Sequence, residues 1–311
     1  MENQIKGLHH ITAIAGNAQR NYNFYTKVLG LRLIKKTVNF DDPETYHLYY
    51  GDEVGTPGTV LTFFPWQNIM TGRRGSRQAT EIGYSVPENS LEFWLKRFEQ
   101  HNVIHNKVAE KFGERYLTFL DPDGLKLELI ASKKPDNRLP WETNEIKAEN
   151  ATKGFHNVTI TTNKMQPTAD ILTGVFGYKL LEQHVNRYRF VTDAVDNANI
   201  VDLVEVEGEK AGHVAGGSVH HVAFRVENEA VLMHYREKIE ALGLHITEKI
   251  DRNYFYSLYF REPGGVLFEL ATDNPGFSVD EPVNELGSHL KLPPQYEEYR
   301  ASLETTLPKL V

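Results

Sequence analysis

The chain contains no cysteine. Disulfides, thiolate metal sites and cysteine nucleophiles are therefore excluded, and the composition suits a reducing compartment. Also missing is any apolar run of the ~18 residues a membrane helix needs. The opening Met-Glu-Asn-Gln-Ile-Lys-Gly has no apolar signal core, so a cytoplasmic protein without membrane contact is expected. Nor is there an excess of positive charge: 34 Lys and Arg against 42 Asp and Glu give a net charge of -8. Such a chain has no general attraction for phosphate backbones, so a nucleic-acid partner is not expected. What is present is ordinary: 311 residues, 40% hydrophobic and 24% charged, the composition of a folded globular protein. Its 13 histidines are the conspicuous supply of metal-binding chemistry.

One plan, a strand, an amphipathic helix and then further strands, recurs along the sequence and predicts an α+β protein. The first module, residues 5–66, opens with Leu8-His9-His10-Ile11-Thr12, and its helix over Asn21 to Leu29 stops at Gly30. The second, 77–131, has a helix over Ser90 to Phe98 and a turn at Asp121-Pro122-Asp123-Gly124. These make an N-terminal half, 5–131. After a polar connector, modules at 152–207 and 217–273 make a C-terminal half, 152–273. The third opens Gly154-Phe155-His156-Asn157 and the fourth Ser218-Val219-His220-His221. A proline-rich tail, 274–311, is expected to pack over a module. One such unit cannot cover both faces of its sheet, so the units should pair into curled sheets with helices outside.

Aligning the modules sorts the histidines. The opening pairs are His9-His10, Ile82-Gly83, His156-Asn157 and His220-His221, so the first and fourth modules alone carry histidine in second place. The matching place in the last strand is Thr62, Glu128, Val204 or a neighbour, and Glu269. Strand alternation turns Val222, Phe224 and Val226 toward the helices and His221 to the concave side, where Glu269 also points. Pairing of the first and fourth modules would gather His10, His221 and Glu269, with Thr62 in the remaining corner. Pairing of the third and fourth would leave only His221 and Glu269, so the uneven ligand set favours the chain's two ends. Two imidazoles and one carboxylate on one side of an ion leave open positions, the arrangement of non-haem Fe(II) oxygenases. Glu128 is expected to have a structural or pocket-polar role.

Phe24-Tyr25-Thr26-Lys27-Val28-Leu29-Gly30-Leu31, together with Lys36-Thr37-Val38-Asn39-Phe40-Asp41 and the run from Tyr46 to Thr59, resembles the vicinal oxygen chelate superfamily over nearly the whole chain. Within it the chain is similar to the hydroquinone-type ring-cleaving dioxygenases, including bacterial proteins linked to quinone resistance. The resemblance implies four βαβββ modules forming two curled sheet barrels with outer helices, the first and fourth building the metal site. It implies Fe(II) on His10, His221 and Glu269, with Mn(II) or Zn(II) also accepted by isolated protein. Pocket residues carry over onto His9, Thr12, His220, Arg252 and Tyr259. Arg252 suits developing oxygen charge, Tyr259 hydrogen bonding to oxygen or substrate, and His220 a proton shuttle near neutrality. The implied partners are a small aromatic substrate and O2, and homo-oligomerisation is left open. Competing readings are a lyase, isomerase or thiol-adduct enzyme on another divalent metal, and a protein that binds aromatic compounds without changing them.

Overall fold

The computed structural model describes residues 3–311. Four βαβββ modules follow one another. The first comprises β1 (Leu8–Ala15), α1 (Ala18–Asn23), β2 (Arg32–Asn39), β3 (Asp42–Gly51) and β4 (Val60–Pro65). The second has β5 (Gln78–Val86), α2 (Leu91–Gln100), β6 (Ala109–Lys111), β7 (Glu114–Leu120) and β8 (Lys126–Ala131). The third has β9 (Phe155–Thr162), α3 (Gln166–Asp170), β10 (Lys179–His184), β11 (Arg187–Val191) and β12 (Ile200–Glu205). The fourth has β13 (Ser218–Val226), α4 (Glu229–Ala241), β14 (Ile250–Asp251), β15 (Phe255–Arg261) and β16 (Leu267–Pro275).

The helices form where apolar residues recur at helical spacing. In α2, Leu91, Trp94 and Phe98 are buried on one face. Asn228 caps α4 by accepting from the Val231 amide at 3.1 Å. Two helices depart from the regular ladder expected from sequence. A π-helical turn, Phe24–Val28, follows α1, and another, Ile171–Val175, follows α3. The first is closed by the Leu29 amide donating to the Phe24 carbonyl, and it buries both Phe24 and Tyr25. Gly30 ends the turn at φ +70°, a conformation that glycine adopts without strain.

Two eight-stranded sheets result, in the orders β14-β15-β16-β13-β1-β4-β3-β2 and β10-β11-β12-β9-β5-β8-β7-β6. The first and fourth modules thus share one curled sheet and the second and third the other, each joined by an antiparallel central pair, β1 with β13 and β5 with β9. The register corrects the module alignment. Val222 faces Phe268 and Ile82 faces Leu127, so the counterpart of His221 in the second module is Glu81, two residues before Gly83. Gly83 lies opposite Asn157, and a side chain there would collide with the Asn157 amide. In the third module the counterpart of Glu269 is Asp202, which pairs with Thr159. β6 went unforeseen because Ala-Glu-Lys carries no strand pattern of its own.

The tail packs against the first module. Lys35 is fully buried on β2, its Nζ 2.7 Å from both Asp280 Oδ1 and Glu281 Oε2. Phe277, Leu286, Leu292, Leu303 and Leu307 are buried, the last two in and beside α5 (Arg300–Thr306). Among the described residues no helix is long and apolar enough to cross a membrane.

Replacing Lys35 by Met strands two carboxylates and should lower unfolding free energy by ~3–5 kcal/mol in chemical denaturation. The first and second modules also meet through a titrating group. Tyr25 Oη donates to Asp121 Oδ2 at 3.0 Å, and burial pushes the Asp121 carboxyl up to about 6 from 3.8. A raised folded-state value contributes stability below pH 3.8 that is lost as pH rises through 6. Between pH 5 and 7.5 this group should remove on the order of 1 kcal/mol, and that slope should vanish in Asp121→Asn.

Candidate metal centre

The pairing of β1 with β13 sets His10 opposite Ala223 and Thr12 opposite His221, so the two histidines stand diagonally on one face. β16 runs parallel to β13 with Glu269 beside Ala223. The three side chains converge. His221 Nε2 is 2.8 Å and His10 Nε2 3.2 Å from Glu269 Oε2, and the two nitrogens are 3.4 Å apart. Adjacent ligands of an ion held at about 2.1 Å stand roughly 3 Å from one another, so the spacing fits a divalent metal. All three residues are buried.

The hydrogen bonds leave the converging atoms available for a cation. Glu269 Oε1 accepts from Ser257 Oγ, whereas Oε2 has no aligned hydrogen-bond donor. Burial opposes ionisation of Glu269, but His10 and His221 outweigh it and hold the carboxyl well below its ordinary value. His221 is pushed down by burial. A divalent cation would take the place of the imidazole protons beside this carboxylate, meeting an anionic oxygen and two Nε2 lone pairs.

Behind the ligands the tautomers can be assigned. His9 Nε2 lies 3.1 Å from the Thr272 carbonyl, which only accepts, so that nitrogen carries a proton. Burial pushes His9 down to about 3, so its Nδ1 is an acceptor. His10 Nδ1, 3.0 Å away, must donate to it, which leaves the His10 Nε2 lone pair facing Glu269. His221 Nδ1 stands 2.8 Å from His220 Nδ1 in the same way. His220 is also pushed down to about 3 by burial. Donation from His221, matching that of His10, would turn the His220 Nε2 proton toward the cavity.

Above this cluster lies a cavity of about 550 Å³ whose wall includes His10, His47, Tyr49, Phe64, Trp66, His220, His221, Arg252, Phe255 and Tyr259. The structure therefore brings His220, Arg252 and Tyr259 together with the metal candidates. His9 and Thr12, expected beside the pocket, do not line it. His9 points behind His10 toward Thr272, and Thr12 is covered by Thr62, to which it hydrogen-bonds at 2.8 Å. The Arg252 guanidinium sits 5.4 Å from the centre of the Tyr259 ring and 3.6 Å from Asp41. Burial works against its charge, but Tyr259 and Glu269 raise it further, so it remains cationic. Burial and Glu269 raise Tyr259, which stays a phenol and a donor.

His47 and Tyr49 escaped the sequence reading. Their signal lay in the repeat, since Tyr49 pairs with Thr62 as Tyr259 pairs with Glu269. A second cleft, of about 230 Å³, opens on the other sheet, but its polar groups are engaged with each other. Glu114, for example, holds His156 at 3.0 Å and Arg189 at 2.7 Å.

The model of the Glyoxalase/Bleomycin resistance protein/Dioxygenase superfamily matches residues 7–129 and 154–270. The chain belongs to this superfamily. MhqO of Bacillus subtilis (strain 168), provisionally named a ring-cleaving dioxygenase, is 42% identical over 99% of this chain and 97% of its own. The chlorohydroquinone/hydroquinone 1,2-dioxygenase of Sphingobium indicum is 36% identical over 98% of this chain and 96% of its own. A crystal structure from Bacillus subtilis, of a protein provisionally named a dioxygenase, superposes with a TM-score of 0.95 at 41% identity, covering 99% of this chain and 98% of that one. Glyoxalase I from Zea mays, at TM-score 0.66 and 14% identity over 91% of this chain and 97% of its own, shares the superfamily's fold.

His9→Phe keeps a ring against Phe255, 5.2 Å away, but removes the acceptor for His10 Nδ1. Divalent-metal affinity measured by anaerobic calorimetry should fall ~10–100-fold, the usual cost of losing the partner that orients a ligating histidine.

Proposed function

We propose that this protein is a non-haem Fe(II) dioxygenase that opens the ring of hydroquinone-type aromatic compounds with O2. The observation that carries this reading is the convergence of His10, His221 and Glu269 while the fourth corner holds Thr62, whose hydroxyl is engaged by His47 and Thr12. Two imidazoles and one carboxylate suit Fe(II) and leave positions on one side for two further ligands. Relatives aligned over nearly the whole chain, one of them a chlorohydroquinone/hydroquinone 1,2-dioxygenase, support the substrate class.

When bound, such an ion supplies Lewis acidity toward a phenolic oxygen and a place for O2 beside it. The chain's own groups do the rest. His10 and His221 are held with Nε2 inward by their neighbouring histidines, so the donor set is organised in advance. His220, pushed down to about 3 by burial, is not the proton shuttle near neutrality expected from the sequence, and its Nε2 at the cavity serves instead as a hydrogen-bond donor to the oxygen of an ionised phenol. Arg252 keeps a fixed positive charge beside Tyr259, where negative charge on oxygen is stabilised. Phe64, Trp66 and Phe255 give the cavity aromatic walls that exclude water and suit a flat ring. The absence of cysteine removes the residue most readily oxidised in such chemistry and suits the reducing cytoplasm, where we place the protein.

Protein loaded anaerobically with Fe(II) should consume O2 in step with loss of a para-hydroquinone. Adduct formation, isomerisation, or binding without oxygen uptake would reject the assignment in favour of a glyoxalase-like or sequestering role. Glu269→Gln should reduce retained iron and turnover together, since a neutral amide replaces an anionic ligand; full metal content and turnover in that variant would remove Glu269 from the ligand set.

A further inference from the structure

A second tyrosine stands in the cavity at the place equivalent to Tyr259. Tyr49 pairs with Thr62 across β3 and β4, as Tyr259 pairs with Glu269 across β15 and β16. It heads a chain of hydrogen bonds. Tyr49 Oη is 2.8 Å from His47 Nδ1, His47 Nε2 is 2.9 Å from Thr62 Oγ1, and Thr62 Oγ1 is 2.8 Å from Thr12 Oγ1.

Proton counting gives this chain a direction. Thr12 is fully buried, and among the described residues its hydroxyl has Thr62 as its one partner. A Thr12 O–H aimed anywhere else would be a buried donor without an acceptor. Thr12 therefore donates to Thr62, and the Thr62 O–H passes on to His47 Nε2. Accepting there puts the His47 proton on Nδ1, which donates to Tyr49 Oη. The Tyr49 O–H is then left over, on a residue that lines the cavity. Burial holds His47 neutral and keeps Tyr49 protonated, so neither end of the chain competes for charge.

We propose that Tyr49 is a specificity-determining donor whose O–H binds the second ring oxygen of a para-substituted phenol, the one remote from His10, His221 and Glu269. His47, Thr62 and Thr12 are positioning residues that fix the direction of that donor. The inference rests on the ring-substrate reading given above. Among the described residues Tyr49 Oη has His47 Nδ1 as its one partner, so with that nitrogen donating, the acceptor for the Tyr49 O–H comes from the bound molecule. A neutral donor recognises hydroxyl or ether oxygen alike and does not need a proton from the ring.

The test is anaerobic calorimetry of the metal-loaded protein with phenol, 4-methoxyphenol and hydroquinone. Wild type should bind hydroquinone and 4-methoxyphenol roughly tenfold more tightly than phenol, the gain of one hydrogen bond. In Tyr49→Phe the three should bind alike, with phenol affinity unchanged as the control for an intact site. Thr12→Val should shrink the ratio and Thr12→Ser restore it. A wild type that does not favour the para-oxygenated rings overturns the proposal, as does a Tyr49→Phe variant that weakens all three equally. A full ratio in Thr12→Val removes the positioning role. Failure of every ring to bind wild type overturns the ring-substrate reading along with this inference, whereas normal hydroquinone turnover with an unchanged ratio in Tyr49→Phe overturns this inference alone.

Discussion

The site exists because β1 and β13, more than 200 residues apart in sequence, pair antiparallel at the centre of one sheet. Residues on neighbouring strands share a face only when the register agrees, and a slip of one residue would turn His10 or His221 to the opposite face. The register is fixed by burial on that other side, where Ile11, Ala13, Val222 and Phe224 are all fully buried. Packing on the helix side of the sheet thereby sets the geometry of the polar side. The Glu269 ligand follows from the same constraint, since β16 pairs with β13 and places it beside Ala223.

The second sheet shows what the scaffold does without histidines. At its four corresponding positions stand Glu81, Glu128, Asn157 and Asp202. Cationic side chains of the protein neutralise the three carboxylates, and Asn157 donates to Asp202 at 2.9 Å. Lys126 reaches Glu81 at 2.6 Å, Arg187 reaches Glu81 at 3.0 Å, Arg189 reaches Asp202 at 2.8 Å, and Lys111 contacts Glu128. Burial opposes ionisation of Glu81, yet Arg187, Lys111 and Lys126 hold it at about 2. Lysine and arginine there satisfy the concave face internally. In the first sheet the places equivalent to Arg189 and Thr118 carry the phenols of Tyr259 and Tyr49, and Glu269 Oε2 stays without an aligned donor. The difference between an ion-paired sheet and one with a candidate metal site thus lies in which side chains face the shared concave surface.

Much of this was legible because the modules repeat. Alternation along β13 and β16 assigns His221 and Glu269 to one face, and the histidine pairs at β1 and β13 mark which modules belong together. The second module was misaligned because its opening strand has no histidine to anchor it, and an apolar residue at position 82 reads equally well at either place. The π-helical turns were beyond periodicity, since Phe24, Tyr25 and Val28 fit a regular helical face as well as an irregular one. His47 and Tyr49 could be placed on a strand but not given a task, because that task arises from Thr62 and Thr12, which come near only after β1, β4 and β3 have paired. Likewise His9 and His220 occupy the same place in their modules, yet one faces Thr272 and the other the cavity.

An eight-stranded sheet that curls without closing leaves two edges, here β14 and β2. Open edges attract other strands, and an unbraced curl would let the cavity wall shift. The tail covers the β2 edge and braces the curl. After β16 it crosses to β2, where Leu290 bridges Lys36 and the Lys291 amide donates to the Lys36 carbonyl at 2.9 Å. On the way, Asp280 binds Lys35 of β2 at 2.7 Å and Tyr254, just before β15, at 3.0 Å. Phe277 packs 5.3 Å from both Tyr49 and Tyr254. At the cavity mouth Arg252 and Asp41 face each other from the two sides of the curl. One buried ammonium and a few aromatic contacts thus connect the sheet's edges and support the wall on which Tyr49 sits. The tail is best understood as part of the barrel, supplying the closure that strand pairing alone does not.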